Sequence, residues 1–231
     1  MLPREFFVVA HRGASAYEPE NTIPAVVKAI ELKAAVVEVD VRRCKSGELV
    51  VFHDEDLSRL FNVNARLADL TLADLRKYKV GGRADIPTLN EVLEVAKGRI
   101  KLFIEIKERG LEQSVINLIK EYGLIDDVAV ISFYLDVLIN ARKFEPRICT
   151  GYITVHPYVN VGKLISEGIK VLLPRHNLVT GRLVKESKAR GLRVIPWVVN
   201  DVALAIKLRN LGVDGIATDK PDILTQMSKL I

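Results

Sequence analysis

Short runs of Val, Ile, Leu and Phe alternate along this chain with longer stretches whose apolar residues recur every three to four positions. The short runs cover residues 6–10, 36–41, 102–106, 128–132, 148–153, 171–173, 194–198 and 215–218. Near-continuous hydrophobicity over so few positions marks parallel strands covered on both faces. The periodic stretches, 23–32, 88–96, 111–122, 135–144, 161–167, 179–190, 202–211 and 222–230, predict amphipathic helices. Eight strand–helix units in alternation predict an α/β fold, a (β/α)8 TIM barrel. An open doubly wound sheet is the competing arrangement, but the glycine-rich phosphate turn that usually opens one is absent.

One connection breaks the rhythm. About 45 residues separate the second strand from the helix that begins at Thr88, where 2–6 is usual. Their first part reads as a hairpin: strand 36–41, a turn at Lys45-Ser46-Gly47, and residues 49–52 returning to His53. The remainder, about 54–86, reads as a small insertion with a helical pattern at 71–78 and a turn at Gly81-Gly82. We expect residues 57–86 to fold over the barrel mouth and limit what can enter.

The chain's 231 residues are a length that barrels fill as one domain, so residues 1–231 are read as a single unit. At 49% hydrophobic, the composition argues for a packed core and against disorder. The longest apolar runs are too short to cross a bilayer, so no stable membrane insertion is expected. Only five apolar residues separate Arg4-Glu5 from His11, which is no signal peptide, and the chain is read as cytoplasmic. The net charge of +5 is spread among acidic residues without a basic block, which argues against a nucleic-acid partner. It suits a small anionic ligand at a positive mouth. Homo-oligomerisation stays open. Cys44 and Cys149 lack any metal or redox spacing and are read as buried free thiols.

The chemistry gathers at strand ends, on the face where barrels build active sites. Glu38 and Asp40 are two apart on one strand and share a face. Glu105 adds a third carboxylate on another. Three oxygen ligands suit a hard divalent cation, Mg2+ or Ca2+, and an ion-pair network with Arg12, Arg42 and Lys107 is the competing explanation. His11 and His53, two of the four histidines, each end an apolar segment and are candidates for general acid and base. Arg12 and Lys107 are fixed cations that can neutralise the acids or stabilise negative charge developing on an anionic ligand. Asn21 or Thr22 can cap the first helix, with Pro24 in its first turn. His156 reads as a surface residue and His176 as a group behind the site.

The clusters His11-Arg12-Gly13, Pro19-Glu20-Asn21-Thr22, Glu38-Val39-Asp40, His53-Asp54, Glu105-Ile106-Lys107 and Trp197-Val198-Val199-Asn200 occur in an order that resembles the glycerophosphodiester phosphodiesterase family, from Val9 to Asp219. The resemblance implies a metal-dependent phosphodiesterase that releases glycerol 3-phosphate and an alcohol. It implies Glu38, Asp40 and Glu105 as metal ligands, and His11, His53, Arg12 and Lys107 as catalytic groups. Arg12, Glu20, Lys107, Trp197 and Asn200 become the substrate-binding set, with Trp197 as an apolar wall for the glycerol carbons. Residues 212–221 match the family's last strand and turn, a structural role.

Two segments depart from the family pattern. Leu60-Phe61-Asn62-Val63-Asn64 replaces its usual threonines and glycines, and Lys33-Ala34-Ala35 lacks its usual glycine and acid. Leu57, Leu60, Phe61 and Val63 hint at an apolar entrance, which would favour a lysophospholipase-D-type or cyclising lyase activity on lipids. A non-catalytic barrel that binds phosphorylated ligands is the remaining alternative, although it would be expected to have lost at least one of His11, His53, Glu38, Asp40 or Glu105.

Overall fold

The computed structural model describes residues 2–228. In chain order its elements are β1 (Phe7–Ala10), α1 (Ile23–Glu31), β2 (Val36–Arg43), β3 (Leu49–Val51), α2 (Ser58–Phe61), α3 (Leu72–Leu75), β4 (Lys79–Val80), β5 (Ala84–Asp85) and α4 (Leu89–Ala96). The second half continues with β6 (Lys101–Ile106), α5 (Glu112–Glu121), β7 (Val128–Ser132), α6 (Leu135–Phe144), β8 (Cys149–Thr154), α7 (Val161–Ser166), β9 (Val171–Pro174), α8 (Gly181–Ala189), β10 (Arg193–Val194), α9 (Val202–Leu211), β11 (Gly215–Thr218) and α10 (Ile223–Met227). Positions 229 and 230, placed by periodicity in the last helix, lie outside the described residues.

Eight parallel strands run in the order β10-β9-β8-β7-β6-β2-β1-β11, so the predicted TIM barrel is the observed fold. The two end strands meet at a seam without a regular ladder. There the Asp214 N–H donates to the Val194 carbonyl, Ala217 N–H to Pro196 and Val199 N–H to the Ala217 carbonyl, each at 2.9 Å. The seventh strand, read from sequence as 194–198, is regular only at Arg193–Val194. Pro196 has no N–H for the ladder. The segment nevertheless runs extended, with Ile195 and Trp197 donating to Leu172 and Pro174 of β9.

Side chains alternate across every strand and so build two cores. Phe7, Val9, Val36, Phe103, Ile131, Ile153 and Leu173 fill the barrel. Val37, Val39, Val41, Ile104 and Ile106 point outward against the helices. Among the described residues, no helix is long and apolar enough to cross a membrane. Cys44 is a buried free thiol, whereas Cys149 is only half-buried.

The hairpin of β2 and β3 forms as read, with Val41 opposite Val51. Beyond it, residues 57–86 build a small core of their own, and none of them lines the barrel cavity. Leu57, Leu67, Leu75, Val80 and Ile86 bury one another together with Cys44, Val50 and Phe52, and Leu60, Phe61 and Val63 pack against them. Phe61 lies between Phe52 and Tyr78, with ring centroids at 6.2 and 5.2 Å. A segment this rich in large apolar residues packs them against one another, and none of Leu57, Leu60, Phe61 and Val63 lines the barrel cavity. The unit is tied to the β1–α1 loop by Arg83 on Glu18, 2.5 Å apart, and by Arg59 on Glu20.

Candidate active site

At the C-terminal mouth the inward row of β2 changes from Val36 to Glu38 and Asp40. Register sets Asp40 beside Glu105 of β6, whose own inward row continues to Lys107. One oxygen from each of Glu38, Asp40 and Glu105 lies within 4.8 Å of the others, and all three residues are buried. Arg12 and Lys107 answer this charge. Arg12 Nε is 3.3 Å from Asp40, and Lys107 Nζ is 2.7 Å from Glu105 and 3.4 Å from Asp40. Arg42, the third cation of the competing ion-pair network, turns away to the His53 carbonyl and Glu108.

Asn21 is not the helix cap. Thr22 takes that role, accepting from the Ala25 N–H, and Asn21 instead clasps Asp40 at both ends of its amide. Asn21 Nδ2 donates to the Asp40 carboxylate at 2.8 Å, and the Asp40 N–H donates to Asn21 Oδ1 at 3.1 Å. The left-handed backbone of Arg12 (φ 55°) aims its N–H at Glu38 Oε2, 2.8 Å away. Glu38 Oε1 is buried with no hydrogen-bond partner among the described residues. Two cations against three carboxylates, with one bare oxygen, form a donor set that fits a hard divalent cation.

The same crowding splits the three acids. Burial pushes the Glu38 carboxyl well up, with Asp40 and Glu105 adding to the effect. Glu105 is pushed up to about 7 by burial and by Asp40, against the pull of Lys107. At Asp40 burial acts in the same sense, but Lys107 and Arg12 overcome it and hold that carboxyl at about 2.

The two histidines are oriented alike. His11 Nδ1 lies 2.8 Å from Asp219, which also accepts from Ser15 Oγ at 2.9 Å and Asn200 Nδ2 at 2.6 Å. Despite burial, these donors hold the Asp219 carboxyl at about 2. His53 Nδ1 lies 2.7 Å from Asp54. An ionised carboxylate only accepts, so each Nδ1 carries the proton and each Nε2 is the nitrogen left free. Burial, against the pull of Asp40, lowers the His53 pKa, with Lys107 and Arg12 adding.

One cavity of about 80 Å3 joins these groups. His11, Arg12, Glu38, His53, Glu105 and Lys107 supply its polar lining, and Ile131, Phe133, Leu173 and Trp197 much of its apolar lining. Trp197 is fixed by its indole N–H on the Leu173 carbonyl and by an edge contact with Phe133.

The family model that matches residues 11–223 is the glycerophosphoryl diester phosphodiesterase family. The chain belongs to this family. A glycerophosphodiester phosphodiesterase of Caldanaerobacter subterraneus subsp. tengcongensis is 33% identical over 95% of this chain and 96% of its own length. The structure of an Oleispira antarctica phosphodiesterase in complex with the product sn-glycerol-3-phosphate superposes with a TM-score of 0.90 at 29% identity, covering 99% of this chain and 97% of that one. The Thermotoga maritima glycerophosphodiester phosphodiesterase gives 0.85 at 30% identity, covering 98% and 100%.

In this phosphodiesterase seven of the expected site residues line the cavity, and the other three stand around it. Asp40 lies beneath the lining, almost wholly buried. Glu20 is bound by Arg12 Nη1 at 2.9 Å and shares an adjoining groove with Asn200. The Asn200 amide is spent on Asp219 and Thr218 rather than turned toward the cavity. His176 stands behind Trp197 and His156 is exposed. Asp54 stands in the His53-Asp54 cluster without a role of its own and Asp219 in a stretch read as structural, whereas Ser15 and Arg59 are not singled out from sequence. The Asp after His53 and the Asp that ends the last strand were visible, but their partners were not.

Proposed function

We propose that this enzyme hydrolyses glycerophosphodiesters to glycerol 3-phosphate and an alcohol such as choline, ethanolamine or glycerol. The observation that carries the reading is the pair of aspartate-bound imidazoles lining one cavity with Arg12, Lys107 and the three carboxylates. Glu38, Asp40 and Glu105 would hold a divalent cation, Mg2+ or Ca2+, which when bound supplies charge neutralisation and orients oxygen ligands.

The glycerol 2-hydroxyl of the substrate is the nucleophile, favoured because an intramolecular attack has little translational entropy left to lose. One histidine accepts its proton at Nε2 as the oxygen bonds to phosphorus. The other, protonated, gives its Nε2 proton to the alkoxide as the phosphorus–oxygen bond to the leaving alcohol breaks. Water then opens the cyclic phosphate with the two imidazoles exchanged in role. Arg12 and Lys107 face the equatorial oxygens, where charge is greatest in the pentacoordinate state, and so favour it over the ground state. Glu20 holds Arg12 in place, and Trp197 with Phe133 gives the glycerol carbons an apolar wall.

Product analysis on glycerophosphocholine, with and without EDTA, tests this. Release of glycerol 3-phosphate and choline, abolished by chelator and restored by Mg2+ or Ca2+, is the expected result. No turnover, or full turnover in chelator, refutes it.

A further inference from the structure

The insertion reaches the site through one side chain. Arg59, on the single turn of α2, places Nε 2.6 Å from Asp54 Oδ2 and Nη2 2.5 Å from Glu20 Oε1, with Nη1 3.1 Å from Glu20 Oε2. Asp54 holds His53 with its other oxygen, and Glu20 holds Arg12. One guanidinium therefore braces two carboxylates from different loops, each already committed to a group of the cavity. The backbone that carries Arg59 is anchored two residues to either side, by Leu57, wholly buried, and by Phe61, stacked on Phe52.

We infer that Arg59 is a positioning residue for this reaction, fixing Asp54 so that His53 keeps Nε2 toward the substrate, and that the insertion exists to aim it. The inference rests on the reading of His53 as an acid–base group. A planar fork of N–H donors fixes the direction of a carboxylate, which a lysine ammonium cannot do as well. Without it Asp54, one residue from His53 on a turn, is free to rotate, and the imidazole loses the partner that selects its tautomer. Glu20 keeps Arg12 as its partner and is less affected. A merely structural role predicts something else. Arg59 is 44% exposed, and exposed ion pairs add little to folding stability, so its removal should barely move the melting temperature.

The test is steady-state kinetics on glycerophosphocholine for Arg59→Ala, Arg59→Lys, Asp54→Asn and the double variant Arg59→Ala/Asp54→Asn, with melting curves and 15N NMR of the His53 ring. Arg59→Ala should lower kcat roughly tenfold or more, as loss of an orienting partner does, while leaving KM and melting nearly unchanged. Arg59→Lys should recover part of the loss. In the Asp54→Asn background the same change should cost less than about twofold, because both act through one path. The ring of His53 should be the Nδ1–H tautomer in the native protein and a mixture in Arg59→Ala. Undiminished kcat, equal losses in both backgrounds, or an unchanged tautomer overturns the inference. If the native enzyme turns over no glycerophosphodiester, the functional reading fails, and the NMR signature alone still decides whether Arg59 positions His53.

Discussion

Glu105→Gln should reveal the metal site through folding rather than turnover. In the native fold without a cation, burial and Asp40 hold the Glu105 carboxyl at about 7, against an ordinary 4.5. Between those values the folded protein keeps a proton that the unfolded chain releases, so stability falls as pH rises. About two and a half pH units at about 1.4 kcal/mol each give a loss of about 3–4 kcal/mol, complete above the folded value. Glu38 pushes in the same direction. Asp40, held at about 2, adds a stability that is constant above its ordinary 3.8 and is lost only as pH falls from there toward 2, so it does not alter this slope. In EDTA the native enzyme should therefore melt roughly 6–12 °C lower at pH 8 than at pH 5. Glu105→Gln should lose most of that slope and be the more stable protein at pH 8. Mg2+ or Ca2+ should narrow that gap, since a cation at 100 times its Kd returns about 2.7 kcal/mol to the native enzyme but less to a variant short of one ligand charge. Equal pH slopes for the two proteins in chelator, or equal stabilisation by the cation, would refute the reasoning.

His11→Ala and His53→Ala should each lower kcat by at least about a hundredfold, and the double variant should be little worse than the slower single one, read by steady-state kinetics. Asp219→Asn should lower kcat by roughly a hundredfold by releasing the His11 ring. It should also flatten the acid limb of melting, since a carboxyl held at about 2 contributes stability above its ordinary 3.8 that is lost as pH falls from there toward 2. Gly13→Ala, which would place a Cβ 2.6 Å from the Ala25 Cβ at a φ of +81°, should cost about 1–3 kcal/mol in denaturant titration and lower activity through the Arg12–Glu38 contact. Shortening the insertion should depress kcat alike on all head groups, as Arg59→Ala does; a change in head-group preference would point to direct contact with substrate.

The carboxylate cluster was legible because strand periodicity is local: Glu38 and Asp40 had to share a face, and Val36 two positions earlier already pointed inward. The hairpin was equally plain in its turn. What failed to show were contacts made over long separations. Asp219 meets His11 across 208 positions and Arg59 meets Glu20 across 39, distances over which pattern carries no signal. Asn21 was ambiguous because a cap and a clasp for a buried acid ask for the same amide. The insertion misled for a physical reason: Leu57, Phe61 and Ile86 look alike whether they face a ligand or one another, and here mutual burial wins. At strand 194–198 hydrophobicity predicted extension correctly, but Pro196 broke the ladder within it.

The seam between β10 and β11 joins the last two staves of a ring. Asn200 sits on it, bound to Thr218 and Asp219, so the joint that closes the barrel also aims an imidazole. A ring opens first at its weakest joint, and this one has few backbone bonds and a side chain, Asp214 on the Val194 N–H, in place of another. Warming should thus free the amides of 194–199 and 214–217 to exchange with deuterium before those of β2 and β6. Turnover should fade over the same interval, ahead of global melting, so the temperature ceiling of this enzyme is set by the stitching of one seam.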